Sequence, residues 1–260
     1  MSTLKFTLPN DRIMSYMEYG NPDGKAVIVL HGLVGSVAEE NLAEQLKDIP
    51  LRLIYLARPG YGESDYFPME CVSDWGRQLE PFLDALHLES FDVVGISAGA
   101  PYAYSMAVLY AGRVRTVYIN SGVTAVYDPD IISCYTQQSI EAYRQLLKIT
   151  REEAGKAIYK IYLPLFTEEV KKSRNFQDSM GGNLMNIGQE SILQVTPWGF
   201  SLGDIPRPVV LLHGTLDTVV PYSGAKAMAS RIPGAQLITL DSEEHSSGRT
   251  MQKLLELLTR

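Results

Sequence analysis

Gly95-Ile96-Ser97-Ala98-Gly99 constrains this chain more than any other stretch. It follows an apolar, strand-like run, Phe91-Asp92-Val93-Val94, and precedes an apolar stretch of helical character, Tyr102 to Tyr110. A tight strand-to-helix turn of this kind strains the backbone of its central residue and presents that side chain at the carboxyl end of a sheet. Glycines flank it because side chains there would collide with the neighbouring strand and helix. Ser97 is therefore the candidate nucleophile; the alternative is a polar residue in a glycine-rich loop. So short a pattern also arises by chance, and three further features, in a fixed order along the chain, give it weight.

Upstream, Ala26-Val27-Ile28-Val29-Leu30 reads as a buried strand running into His31-Gly32-Leu33-Val34-Gly35-Ser36. His31 is assigned to scaffolding of that loop. Ser36 with Glu39 predicts a capping box opening the next helix. Downstream, Pro208-Val209-Val210-Leu211-Leu212-His213 reads as a second buried strand, followed by a loop carrying Asp217. An acid there can fix one imidazole tautomer and stabilise an imidazolium; otherwise Asp217 caps a turn. The third feature is His245. Of the four histidines, His31 and His213 stand at strand-end glycine turns and His87 ends a helical pattern. Only His245 sits on a loop between a late strand, Gln236 to Leu240, and a terminal amphipathic helix, Thr250 to Leu258. Imidazole titrates near neutrality and suits a general base that takes the serine proton.

The order serine, acid, histidine is that of the α/β-hydrolases and differs from the chymotrypsin and subtilisin orders. On Ser97, Asp217 and His245 the chain resembles the α/β-hydrolase superfamily over almost its whole length. It looks most like the compact, capped serine hydrolases around esterases, lipases and proline iminopeptidase-like peptidases. Tyr55-Leu56-Ala57-Arg58-Pro59-Gly60-Tyr61-Gly62-Glu63-Ser64 resembles the family turn D-x-x-G-x-G-x-S, with Ala57 where the aspartate usually stands. Before the histidine, Glu244 replaces the glycine often found there. The resemblance implies an oxyanion hole made by the backbone N–H groups of Leu33 and Ala98.

The resemblance implies an α/β-hydrolase fold: a mostly parallel eight-stranded sheet flanked by helices, with a helical cap inserted after the sixth strand. The pattern agrees. Phe6 to Leu8 and Ile13 to Tyr19 alternate as an edge hairpin around Pro9-Asn10-Asp11. Buried strands follow at Val27 to Leu30, Leu51 to Leu56, Asp92 to Ile96, Val114 to Asn120, Val209 to Leu212 and Leu237 to Leu240. Trp75, Leu79, Phe82 and Leu86 fall at helical spacing, with Pro81 expected to kink or interrupt that helix. From about Tyr127 to Phe200 only helical patterns occur. Asp130 precedes one, Thr150-Arg151-Glu152-Glu153 is a capping box opening another, Gly181-Gly182 breaks the run and Pro197 ends it. Residues 1–125 and 201–260 are the expected core and 126–200 the expected cap. About a third of the cap's aromatic and methionine side chains are expected to touch ligand.

Composition narrows the partners. A net charge of −7 argues against nucleic acid and against an anionic membrane. Cys71 and Cys134 lack metal or redox spacing, which predicts reduced thiols and a cytoplasmic setting. The N-terminus lacks a charged-then-apolar signal and no apolar run reaches membrane length. No Walker loop, strand-borne GxGxxG or HExxH is present, so no nucleotide, cofactor or metal is implied. The expectation is a monomer or homodimer acting on a small molecule.

These features predict hydrolysis of carboxylic esters of small to medium, uncharged substrates through an acyl-enzyme. A serine rather than an aspartate at 97 argues against dehalogenase and epoxide-hydrolase chemistry. Three other readings use the same side chains: an aminopeptidase of the proline iminopeptidase type, a C–C bond hydrolase, and a cofactor-free haloperoxidase. For the peptidase, Glu141, Glu152, Glu153, Glu168 and Glu169 are candidate amine binders, although nearby cations make surface pairing the simpler role. A non-catalytic ligand-binding relative is the alternative from another class, disfavoured because a pure binder has no need of all three groups.

Overall fold

Alternating and continuous apolar runs become eight strands: β1 (Leu4–Thr7), β2 (Ile13–Gly20), β3 (Lys25–Leu30), β4 (Leu51–Leu56), β5 (Phe91–Ile96), β6 (Val114–Asn120), β7 (Val209–Gly214) and β8 (Gln236–Leu240). The computed structural model describes residues 2–39, 46, 48–182, 184–206 and 208–260. The strands form one sheet in the order β1-β2-β4-β3-β5-β6-β7-β8. β1 and β2 pair antiparallel, β2 joins β4 antiparallel, and every other neighbour is parallel.

Helices cover the sheet: α1 (Ser73–Gly76), α2 (Glu80–Ala85), α3 (Ala100–Leu109), α4 (Pro129–Ile132), α5 (Gln137–Leu146), α6 (Arg151–Tyr162), α7 (Glu168–Lys172), α8 (Arg174–Met180), α9 (Met185–Gln194), α10 (Tyr222–Arg231) and α11 (Gly248–Leu258). Side chains alternate across the strands and so divide the core between the two faces. Ile28 and Leu30 join Trp75, Phe82 and Tyr104 on one face, while Val27 and Val29 join Leu254 and Leu258 of α11 on the other. The sheet is buried on both sides, which is why its central strands read as unbroken apolar runs.

Between β6 and β7 the described residues contain helices α4 to α9 and no strand. Thr150 and Glu153 form the reciprocal capping box that opens α6, and α8 ends at Gly181. At α4 the cap is Asp128, whose carboxylate accepts the Asp130 and Ile131 N–H groups, so Asp130 lies inside the first turn rather than before it. The helix expected through Trp75 and Leu86 is two short helices. Pro81 stands in the first turn of α2, where its missing N–H costs nothing.

The capping box expected at Ser36 and Glu39 does not form. Ser36 Oγ donates to Asp178 Oδ2 on α8, and the Glu39 N–H donates to the Tyr19 hydroxyl at 2.8 Å. Tertiary partners take both groups, and the helix expected to follow falls on residues outside the described ones. No helix among the described residues is long and apolar enough to cross a membrane.

Candidate active site

Ser97 follows the last residue of β5 with φ of +50°. Both flanking glycines are required by space. A Cβ at Gly95 would lie 2.7 Å from Ala100 Cα, and one at Gly99 only 2.1 Å from Leu30 O. The turn therefore presses β5 and α3 together and lifts the Ser97 hydroxyl above the carboxyl edge of the sheet.

Asp217 and His245 reach it from β7 and β8. A Cβ at Gly214 would lie 2.1 Å from Glu243 O, so only glycine lets the loop after β7 lie against the loop after β8. The Leu216 N–H donates to Glu243 O at 2.9 Å, and the Ser246 N–H to Ser121 Oγ at 2.9 Å, fixing the histidine loop on both sides. His245 Nδ1 then stands 2.8 Å from Asp217 Oδ2, and Nε2 stands 2.9 Å from Ser97 Oγ. With Nδ1 carrying the proton, Nε2 accepts from the serine. The three side chains picked out along the chain converge at one point.

Asp217 Oδ1 accepts the Val219 and Val220 N–H groups at 2.9 and 2.8 Å. Burial opposes ionisation of its carboxyl, but hydrogen bonds from His213 and His245, the electrostatic attraction of the His245 ring and the Val220 N–H outweigh burial and hold it below the usual carboxylate range.

His31 is buried. Its Nδ1–H donates to Gly32 O at 2.8 Å, and burial followed by the Arg58 charge holds it well below the ordinary imidazole pKa. A neutral, enclosed imidazole suits scaffolding. His87 is exposed just past α2 with φ of +53°.

Leu33 and Ala98 both border Ser97 in a cavity of about 120 Å³. The first N–H groups of a helix have no acceptor within it, which leaves Ala98 N–H available at the start of the turn into α3. This cavity is lined by Val123, Val126, Leu146, Ile158 and Val195, with Tyr135, Tyr143 and Tyr162. A second cavity of about 340 Å³ shares Leu33, Ser97, Tyr162 and Val219, and adds Glu39, Phe166, Asn175 and His245. Of the eleven aromatic and methionine side chains between Tyr127 and Phe200, Tyr135, Tyr143, Tyr162 and Phe166 line these cavities. Tyr127, Tyr159, Phe176, Met180, Trp198 and Phe200 pack into the core clusters; Trp198 is fully buried and stacks on Tyr104.

The glutamates considered as amine binders lie elsewhere. Glu141, Glu152, Glu153, Glu168 and Glu169 are exposed and line neither cavity, and Glu152 and Glu168 pair with Lys156 and Lys171. Among the described residues no cluster of three His, Cys, Asp or Glu side chains could hold a metal ion.

The linear reading missed three groups. His213 Nε2, assigned no role, lies 3.2 Å from Asp217 Oδ2. Glu39, read as a cap, lines the larger cavity. Arg58 and Glu190 form a buried ion pair beside the loop that carries Leu33. Only His213 left a local signal, an imidazole four residues before the acid on the same strand end.

Residues 25–248 match the family of the α/β-hydrolase fold. The chain belongs to that family. It is 24% identical over 259 residues to a 2-hydroxy-6-oxononadienedioate/2-hydroxy-6-oxononatrienedioate hydrolase of Cupriavidus pinatubonensis, covering 90% of this chain and 86% of that one. It is 27% identical over 266 residues to a proline iminopeptidase of Neisseria meningitidis, covering 85% and 83%. A thermophilic esterase from Thermogutta terrifontis has the same fold, with a TM-score of 0.71, 19% identity and full coverage of both chains.

Proposed function

We propose that this α/β-hydrolase cleaves carboxylic esters of small to medium, uncharged substrates through an acyl-enzyme on Ser97. The observation that carries the reading is one imidazole, His245, lying 2.9 Å from the Ser97 hydroxyl and 2.8 Å from the Asp217 carboxylate. Ser97 Oγ attacks the ester carbonyl while His245 Nε2 takes its proton. Asp217 keeps the proton on Nδ1 and stabilises the imidazolium. The N–H groups of Leu33 and Ala98 receive the oxyanion. His245 returns the proton to the departing alkoxide, the C–O bond breaks, and the alcohol leaves. Water, deprotonated by His245, attacks the acyl carbon; collapse expels Ser97 Oγ, which regains its proton from His245, and frees the acid.

Residues 126–200 serve in this reading as a cap that excludes water and shapes the pocket. The valine, leucine and isoleucine lining of the smaller cavity suits an uncharged acyl chain. Among the described residues no lysine or arginine lines either cavity. The Cupriavidus relative is named for dicarboxylate substrates, and such charges want cations. That difference favours esters over C–C cleavage of a dicarboxylate.

Replacing Ser97 by alanine and assaying a short-chain aryl ester tests the proposal. The expected loss in kcat is at least about 10³-fold, together with loss of the stoichiometric fluorophosphonate label that the parent protein takes up. Near-normal turnover by Ser97→Ala defeats it, and a folded parent protein that takes no label and turns over no ester points to a non-catalytic binder.

A second reading is favoured by Glu39. Its carboxyl, pushed up to about 7 by burial, borders the cavity shared by Ser97 and His245. A carboxylate there would attract a substrate ammonium, and the similarity to a proline iminopeptidase supports amide substrates with a free amino end. Aminoacyl arylamides assayed beside neutral esters separate the two. The peptidase reading expects Glu39→Gln to lower amide turnover selectively.

A further inference from the structure

Arg58 is completely buried, and every nitrogen of its guanidinium has a partner. Nε and Nη2 meet the two carboxylate oxygens of Glu190 on α9, the latter at 2.9 Å. Nη1 donates to His31 O, and Nη2 donates to Gly32 O at 3.0 Å. The His31 Nδ1–H donates to the same Gly32 oxygen at 2.8 Å, and the Tyr61 hydroxyl donates to Glu190 Oε2 at 2.9 Å. Burial opposes the guanidinium charge, but the adjoining Glu190 carboxylate outweighs it and holds Arg58 protonated.

Gly32 O and the Leu33 N–H belong to one peptide unit. In a planar trans peptide the C=O and the N–H point in opposite directions. Two donors holding the Gly32 oxygen toward Arg58 and His31 therefore turn the Leu33 N–H the other way. Gly32 also rests on the nucleophile: a Cβ there would lie 3.6 Å from Ser97 Cβ. Leu33 itself lines both cavities that reach Ser97. A lysine at 58 would keep the charge but lose the planar fork that reaches the carboxylate and two carbonyls together.

We infer that the Arg58–Glu190 pair is a positioning device that aims the Leu33 N–H at the reacting carbonyl, an inference that rests on the ester-hydrolase reading. Glu190 lies on α9, the helix that also contributes Ser191 and Gln194 to the smaller cavity. Seating of the cap segment and alignment of the donor peptide are thereby one event. Without Glu190 in place the Arg58 charge has no buried counterion, so the arrangement holds only when α9 is docked.

Arg58→Lys tests this with two readouts. The first is kcat and KM on a short-chain aryl ester. The second is affinity for an aryl trifluoromethyl ketone, whose adduct with a serine places an oxyanion where that of the ester forms. The expected result is a fall in kcat of about tenfold, less than the 10²–10³ for deleting a donor outright, with KM changed less than about threefold. Affinity for the ketone falls in the same proportion as kcat. A purely structural role would lower the melting temperature and leave both readouts of the folded fraction unchanged, and that result overturns the inference. If Arg58→Lys does not fold, Tyr61→Phe removes one donor from the Glu190 carboxylate. Parallel twofold to threefold losses are then expected, and unchanged kcat and ketone affinity overturn the inference. If Ser97→Ala is inactive while Arg58→Lys turns over normally, this inference alone fails; if Ser97→Ala is active, the underlying reading fails.

Discussion

His213 and Asp217 meet at 3.2 Å between Nε2 and Oδ2, so one carboxylate oxygen faces two imidazoles, His245 Nδ1 being 2.8 Å away. The His213 Nε2–H is shared with Val220 O at 2.8 Å, which fixes the ring on the loop that carries the acid. His213 thereby helps hold Asp217 in its orientation toward His245. Replacing His213 by phenylalanine should lower kcat on an aryl ester by about threefold to tenfold through misorientation of the acid, with little change in KM. Steady-state kinetics decide it; an unchanged kcat assigns His213 to packing alone.

The same carboxylate links stability to acid. The pKa of Asp217 is depressed in the folded protein, so between its folded and unfolded values the unfolded chain binds more protons. Its stabilising contribution is complete above the unfolded value of about 3.8 and is lost as pH falls below it. Asp217→Asn should therefore melt below the parent protein at pH 7, with a gap that narrows toward pH 3. Thermal melts at both pH values check this, and a gap that is constant or widens in acid contradicts it.

Glu39 carries the opposite sign. Burial raises its pKa from 4.5 to about 7, so the folded protein holds this proton more tightly than the unfolded chain. Stability is lost from this group as pH rises from 4.5 to about 7, with no further loss above. Glu39→Gln removes the penalty. The melting temperature of the variant relative to the parent protein should rise between pH 5 and pH 8; a flat difference would remove Glu39 from the account.

Gly99 is a steric test of the turn. Its φ of −75° is open to any residue, so alanine there is excluded by space alone. The added methyl would lie 2.1 Å from Leu30 O, at the carboxyl end of β3 where the chain runs on to His31 and Leu33. Overpacking against backbone should cost at least about 2 kcal/mol and lower kcat together with stability. Chemical denaturation and ester kinetics on Gly99→Ala measure the two effects, and a variant as stable and active as the parent refutes this account of the glycine.

Much of the site was legible because its signals are local. Gly95, Ser97 and Gly99 report on a turn only a few residues long, and Asp217 and His245 each follow a recognisable strand. Arg58 and Glu190 were not legible as a pair, since 132 positions separate them and nothing at either end names the other. Ser36 illustrates the reverse error. Its spacing to Glu39 matched a helix cap, yet Asp178 on α8 takes its hydroxyl. Trp75 to Leu86 kept its apolar spacing, but Pro81 divided the stretch into two helices.

The strands themselves, the strained turn at Ser97 and the loop position of His245 follow from short stretches of chain, because apolar periodicity and glycine sterics act over a handful of residues. Folding alone set which oxygen of Asp217 faces two imidazoles, which carboxylate neutralises Arg58, and which way the Leu33 N–H points. Each of those outcomes depends on at least one group remote in the chain being brought within about 3 Å, and a buried charge or donor takes whatever partner the packed core supplies.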